Sequence, residues 1–548
     1  MYYLPPLRRF LLPSFICLIL LIIYKSSLRP AIIHLPLQIY HSPQPSPPGA
    51  RVRYPPFKQQ LLNSTSAFQS FNQTPLRHSK YFEPLLQCDL APNRFTGHIR
   101  LPHPIYKISM VPAGPPEDAR VFWNPTVMSL PYWSPNQYLL VSRIVTDGTY
   151  QENVICEANI CHPNTTDLRP GDQLCSEDDL THLGGAVGMR CATTPLRLSV
   201  PPTPAKQCLG SMAPYTSIPG FHDPRIFYDG RGAPLMILNT QSRYACFGLW
   251  LIDLRALYPP LEGLLASSPS FPSLGPLASY PSLTELTRNP PETRGAMEKN
   301  WVVFGQEEEG YISYELTPRR RTFAKLMGAG YTSLNLTDPA EVSCLFDDPA
   351  LDTTGIDGKT HRPTWHQSTN SLQLMLCRRR DPACVPGAEN TVFVTVVHRK
   401  HLNAYGLPLR YERYVVVWTA HPPFSMVGVS RYPILFANET VAGWTARENW
   451  DDGHGGAPFG NYTLGKRGHS TQGKRDSGSM REMWASFTYT VSIAWAWDVR
   501  NRVEVRDKNL GYLDDEVVVG IGIADGGQGF VQVPVRELVG CLRACPVR

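Results

Sequence analysis

Apolar residues in this chain come in short, nearly unbroken runs, without the three- and four-residue spacing of amphipathic helices. The runs at 138–144, 235–238, 247–254, 301–304, 391–398, 414–419, 488–497 and 516–523 are rich in Val, Ile, Leu, Tyr and Trp. Turn residues bound most of them, which marks them as β-strands. Only 282–288 and 535–540 carry a helical pattern. Many strands and few helices predict an all-β fold: a sandwich, a large barrel or a propeller. The strands recur in groups, which favours a propeller whose blades carry long insertions, although no clean internal repeat accompanies them.

The chain opens on a different pattern. Arg8 and Arg9 precede an apolar run at 10–24, and Lys25 closes it. As a helix that run spans about 22 Å, somewhat short of a ~30 Å hydrocarbon core unless the flanking cations snorkel. A cleaved signal peptide is the alternative reading, but no small-x-small cleavage site follows. The Arg pair in front favours a cytosolic N-terminus. These signals predict a cytosolic tail (1–9), a signal anchor (10–24), a Pro-rich stem (25–85) and a lumenal domain (86–548). Within that domain, 259–295 and 451–480 read as inserted loops.

Composition narrows the choice. Fifty-three prolines in 548 residues disfavour a helical bundle or solenoid, because each ring removes an amide donor and clashes with the preceding turn. Fifty-two basic against 46 acidic residues leave a net charge of only +6, which gives no reason to expect nucleic acid. Of thirteen cysteines, Cys17 lies in the apolar run, and the even remainder suits disulfides of an oxidising compartment. Cys156/Cys161, Cys377/Cys384 and Cys541/Cys545 are close enough in sequence to be local clips. Zinc would need C-x-x-C pairs or an H-x-x-x-H partner, and neither occurs. Sequons at Asn63, Asn72, Asn164, Asn335, Asn438 and Asn461 all follow the run, as expected of a lumenal glycoprotein.

The familiar catalytic motifs are missing. There is no H-E-x-x-H, Walker loop or G-x-S-x-G, and Gly520-Ile-Gly522 sits in a strand pattern without the rest of a dinucleotide fingerprint. No D-x-D is present to hold a metal on a diphosphate, so no metal or cofactor is expected. Four segments do interrupt apolar strands with polar groups. They are Asn124-Pro125-Thr126 with Arg143 beyond it, His222-Asp223-Pro224-Arg225, Glu298-Lys299-Asn300-Trp301, and His366 through Asn370. Each reads in isolation as a turn with a structural ion pair. Together they are what a propeller needs, since the inner strand ends converge on one axis. Carboxylates, Arg, Asn, His and Trp in one pocket suit a sugar, whose hydroxyls meet planar polar groups while its C–H faces meet aromatic rings.

The order NPTV…YLLVSR, HDPRIF, EKNWVVF and a late VVVGIGIADG resembles a five-bladed β-propeller superfamily acting on β-mannosides, over roughly residues 120–540. Its members include inverting β-mannoside phosphorylases and β-1,2-mannosyltransferases of fungal mannan. The expected anchor, cysteines and sequons look closer to the transferases. The resemblance implies that Asp223 and Arg225, with His222, contact mannose in a central pocket. It implies Lys299 and Asn300 near a phosphate, and Asn124, Arg143 and Asp525 along the same axis. Trp301, His366 and Asn370 complete the expected substrate-binding set, and Asp223 or Glu298 is the expected base.

One departure stands out. The phosphorylases carry an acid after the D-P-R strand, whereas 235–242 here has no carboxylate. A nucleotide diphosphate leaves more readily than an alkoxide and tolerates that absence. The implied function is therefore an inverting, metal-independent, type II Golgi glycosyltransferase. It would move mannose from GDP-mannose to a mannan or glycoprotein glycan as a β-linked residue, β-1,2 in the related enzymes. The alternatives are a lumenal β-mannoside hydrolase or phosphorylase and a non-catalytic glycan-binding propeller.

Overall fold

The computed structural model describes Leu76 and most of residues 79–546; the longest stretches outside it are 111–121, 267–279, 337–343, 346–352, 402–409, 440–486 and 498–509. The expected anchor, most of the stem, the 451–480 loop and the sequons Asn63, Asn72 and Asn461 lie outside the described residues. Among the described residues no helix is long and apolar enough to cross a membrane.

The fold is nearly all β. Trp123–Ser129, Tyr138–Thr146, Tyr150–His162 and Gly188–Cys191 form a first antiparallel group. His222–Tyr228, Pro234–Gln241, Phe247–Asp253 and Thr284–Glu285 form the second. Val302–Gln306, Glu309–Leu316 and Arg321–Lys325 make the third. The fourth starts from Thr364–Gln367 and Leu372–Met375, both paired to Thr391–His401, and continues through Arg410–Thr419 and Met426–Ser430. Thr488–Trp495, Glu516–Ile523 and Gly527–Pro534 make the fifth. An N-terminal strand, Tyr106–Ser109, pairs antiparallel with Gly527–Pro534 and parallel with Gly188–Cys191, so it joins the fifth group to the first.

The groups close into a ring through side-chain-to-backbone hydrogen bonds near their inner edges. Ile226 N donates to Thr126 Oγ1 at 3.1 Å, from the second group to the first. Asn239 Nδ2 donates to Glu298 O at 3.0 Å, reaching the third. Gln367 Nε2 donates to Asn300 O and Ser313 O, linking fourth to third. The Asn370 carboxamide grips both the N–H and C=O of Ile493 in the fifth. Val127 N donates to Ser492 Oγ at 2.9 Å and returns to the start. Five polar residues, Thr126, Asn239, Gln367, Asn370 and Ser492, thus satisfy backbone groups at the seams, where no ladder is available.

Both faces of these sheets are buried, which explains the unbroken apolar runs. In Arg410–Thr419, Val415 and Val417 enter one core while Tyr414, Val416 and Trp418 enter another. In Pro234–Gln241, Leu235 and Ile237 face one core and Met236 and Leu238 the next. Side chains alternate across a strand, so a sheet packed between two neighbours needs apolar residues at every position.

Two local expectations change. The stretch 282–288 contains the strand Thr284–Glu285, paired to Leu251 and Trp250, and no helix; pairing with the exposed edge of Phe247–Asp253 overrides its weak helical period. Val535–Leu538 is helical as expected. The 259–295 stretch holds a helix, Pro260–Ala266, with Leu261 and Leu265 buried in the core between the first two groups.

All twelve cysteines after Cys17 are paired. Cys377–Cys384 is the local clip expected. The other two local pairs are corrected. Cys156 and Cys161 lie on one strand, Tyr150–His162, and bond instead to Cys191 and Cys175. Five residues of strand separate their Cα atoms by roughly 16 Å and turn them to opposite faces, beyond disulfide reach. Cys541 and Cys545 bond to Cys88 and Cys344, fastening the C-terminal segment to two distant parts of the chain.

Candidate functional site

Three successive groups begin with the same backbone device. Asn124, Asp223 and Asn300 all have positive φ, at 48°, 47° and 59°. Asn and Asp tolerate this left-handed region best among non-glycine residues, and such residues gather at functional sites. In the first two the next residue is proline, whose ring fixes the exit direction. That is the physical content of the N-P and D-P motifs.

Asp223 is the hub. Its Oδ1 accepts from Arg143 Nη1 at 2.8 Å and from Asn124 Nδ2 at 3.5 Å. Arg143 lies 5.0 Å over the Trp123 ring. Burial alone would raise the Asp223 carboxyl, but Arg143, Lys299, Arg225 and His222 outweigh it and hold the group well below the usual carboxylate range. The side chain keeps 22 % of its surface exposed, so this ionised carboxylate is reachable from solvent.

Arg225 is committed to the scaffold. Its Nε donates to Ser368 O at 2.9 Å, and Nη1 donates to the carbonyls of Asp223 and Pro224. The second and fourth groups are thereby pinned across the axis. The axial cavity, lined by Asp223, Arg225, Asn300, Trp301, Ser368 and Asn370 among others, holds only about 20 Å³, room for about one water. A cleft between the third and fourth groups shares Asn300 with it and is far larger, about 420 Å³. Lys299, Tyr314, Arg362, Trp365 and His366 are among its walls, and no carboxylate is.

Lys299 is fixed by cation–π contact, its Nζ 5.3 Å from the Tyr215 ring and 5.4 Å from that of Phe247. His366 accepts from or donates to Thr364 Oγ1 at 2.9 Å; burial, then Lys400, pushes its imidazole down to about 4, so it is neutral at physiological pH. His222 is buried edge-on against Phe247, with ring centres 5.2 Å apart. Glu298 has its carboxylate filled by Gly295 N, Arg288 Nη2 and Trp301 Nε1, at 2.7, 3.0 and 3.2 Å. Trp301 is buried above it, edge-on to Tyr314. Asn370 spends its amide on Ile493. Asp525 lies outside the described residues.

The structure therefore gathers Asn124, Arg143, Asp223, Lys299 and Asn300 at one mouth, with His366 in the adjoining cleft. Glu298, Trp301, Arg225 and Asn370 form its support. The sequence reading missed Lys400, whose charge acts on both Lys299 and His366. The basic run His398-Arg-Lys-His401 at the end of a strand was the available signal. Asn239 and the aromatic pair Tyr215 and Phe247 were also missed, because nothing in their local sequence distinguishes them from core. Among the described residues no cluster of three or more His, Cys, Asp or Glu could hold a metal.

Fold and site together define a ring of β-sheets around a narrow polar axis, with a carboxylate and several cations at its mouth. No family model and no curated protein matches the chain. Solved structures resemble it at the level of fold. One comes from work on the GH130 family of mannoside phosphorylases, which contains glycoside hydrolases that target β-1,2 mannosidic linkages in Candida mannan. It shares 9% identity at a TM-score of 0.33, covering 84% of this chain and 99% of that one. A putative glycoside hydrolase from Parabacteroides distasonis shares 11%, also at 0.33, over 82% and 98%. A GH62 hydrolase in complex with xylotriose shares 7% at 0.30, over 80% and 98%. These neighbours are glycoside hydrolases or phosphorylases, and on that finding the glycosyltransferase expectation is corrected. Arg225, expected on mannose, is instead spent on three backbone carbonyls.

Proposed function

We propose that this five-bladed ring binds β-linked mannosides at the mouth formed by Asp223 and Asn300 and cleaves them by phosphorolysis. The observation carrying this reading is one of charge. Asp223 is the sole carboxylate among the described residues lining the axial cavity and the cleft, and cations surround it. Hydrolysis ordinarily takes two carboxylates, one as acid and one as base or nucleophile. Phosphorolysis needs no base, because phosphate arrives charged, and Lys299 and Arg362 in the cleft suit an anion. A phosphate oxygen bonds to the anomeric carbon as the glycosidic C–O bond breaks, and a proton passes to the leaving oxygen. That proton comes from the attacking dihydrogen phosphate, while ionised Asp223 stabilises the positive charge that develops on the sugar. The HDPRIF and EKNW motifs support a mannoside as the substrate. Six disulfides support an oxidising, lumenal compartment.

The test is incubation of the full chain with β-1,2-mannobiose, with and without phosphate. Mannose 1-phosphate formed only with phosphate is the expected product. Free mannose formed regardless of phosphate would make the protein a hydrolase. A second reading, glycan binding without turnover, is favoured by one observation: Pro234–Gln241 offers Asn239 to the axial cavity and no acid. Sugar binding without either product would identify it.

A further inference from the structure

A second cleft lies beside the mouth, on the second group. It measures about 550 Å³ and is walled by Leu209, Met212, Tyr244, Glu292 and Arg294, among others. That volume is within the ~300–1,000 Å³ range of small-molecule sites. Its surface is unusual for a solvated loop: Leu209 is 75% and Tyr244 43% exposed. Two guanidinium groups lie against the Tyr244 ring, Arg294 at 4.2 Å and Arg243 at 5.6 Å. Arg243 is tied to Glu285 at 3.1 Å. Arg294 forms no ion pair among the described residues, and its Nε, out of solvent, has no hydrogen-bond partner.

The cleft is joined to the mouth by two neighbouring segments. Cys246 N and Phe247 N both donate to Ala296 O, Glu298 N donates to Phe247 O, and Phe247 bridges Met297 in parallel fashion. One segment runs from Tyr244 to Phe247, the other from Arg294 to Lys299, and Phe247 and Lys299 meet at the mouth. The Cys208–Cys246 disulfide fixes the wall bearing Leu209 and Met212 to the same place. A ligand leaving the mouth along these segments meets donors on Arg294, an acceptor on Glu292, and apolar surface from Leu209, Met212 and Tyr244. A polyhydroxylated chain has the matching mixture of hydroxyls and C–H faces.

We propose that the Tyr244–Arg294 cleft is a distal subsite that holds the further sugar units of an oligosaccharide whose terminal unit sits against Asp223. This rests on the glycan reading above. Its consequence is length selectivity: short ligands reach only the mouth, and longer ones gain the cleft.

Calorimetric titration of the full chain with β-1,2-linked mannobiose and mannotetraose, using wild type, Tyr244→Ala, Tyr244→Phe and Asp223→Asn, separates the cases. The expected result is that Tyr244→Ala weakens tetraose roughly five- to tenfold, the worth of one aromatic contact, and leaves biose unchanged. Tyr244→Phe keeps the ring and retains tetraose affinity, while Asp223→Asn weakens both sugars. Equal effects of Tyr244→Ala on both lengths, or on neither, with Asp223→Asn still damaging, would overturn the subsite alone. Failure of wild type to bind either sugar would overturn the glycan reading and the subsite with it.

Discussion

Arg143 Nη1 donates to Asp223 Oδ1 at 2.8 Å, joining the second strand of one sheet to the first strand of the next. The pair makes the mouth out of a seam between two sheets. Asp223→Asn keeps a residue suited to positive φ and removes the charge. It is expected to cut sugar turnover at least ~100-fold while moving the melting temperature by only a few degrees. Product assays beside calorimetry check both halves, and full turnover in this variant would remove Asp223 from the mechanism.

Gly520 and Gly522 have a packing role in place of the dinucleotide one excluded from sequence. A Cβ added at Gly522 would overlap Asn124 Oδ1, and one at Gly520 would crowd Pro125 O at 2.6 Å. Gly522→Ala is expected to destabilise by about 1–3 kcal/mol and to displace Asn124 from Asp223. Denaturant unfolding measures the first effect; weakened sugar affinity reports the second.

Acid should weaken the fold before it reaches the carboxylate range. Burial pushes His98 and His366 down to about 4, from 6.5 in an unfolded chain, and lowers His398 and His401 as well. Between pH 6.5 and 4 the unfolded state therefore binds more protons. Stability is complete above pH 6.5 and falls as pH drops through this window, by up to ~3 kcal/mol for the buried His98. Urea midpoints from pH 7.5 to 4 should show the slope, and His366→Gln should make it shallower.

The sequons divide by what their carboxamides already do. Asn164 is exposed and accepts from Thr166 Oγ1 at 2.8 Å. Asn438 instead forks onto Ile105, accepting from its N–H at 2.7 Å and donating to its C=O at 3.0 Å. Such a fork uses the amide hydrogen beside Oδ1, the position that a sugar occupies in a trans N-glycosyl amide. Glycopeptide mass spectrometry of protein secreted from a eukaryotic host is expected to find Asn164 occupied and Asn438 bare. A glycan on Asn438 of folded protein would contradict the fork.

Removing the Cys88–Cys541 bridge, which closes 453 residues, is expected to cost about 2–5 kcal/mol. Cys88→Ser/Cys541→Ser should release Phe82 and Leu85 from the core that they share with Val535 and Leu538. Hydrogen exchange across 79–88 and 535–545 would locate the loss. Unchanged protection there would show that apolar packing alone holds the two ends.

The all-β class was legible in sequence, because a sheet buried on both faces leaves continuous apolar runs such as 391–398 and 414–419. The polar interruptions were legible too: Asn124, Asp223 and Asn300 mark strand starts where only small polar residues accept a left-handed backbone and reach the axis. The partner of each polar group was not. Asp223 and Glu298 are both acids beside an arginine or lysine in sequence. Long-range contacts make one a solvent-reachable carboxylate among cations and fill the other with three donors. The same limit separates the disulfides, since Cys377–Cys384 is set by a short turn, whereas Cys156 and Cys161 choose partners across other strands. Local sequence determines backbone conformation and which faces must be buried, both short-range steric and solvation effects. Charge, accessibility and pairing at the mouth depend on residues brought together from four successive strand groups, and only the tertiary arrangement decides them.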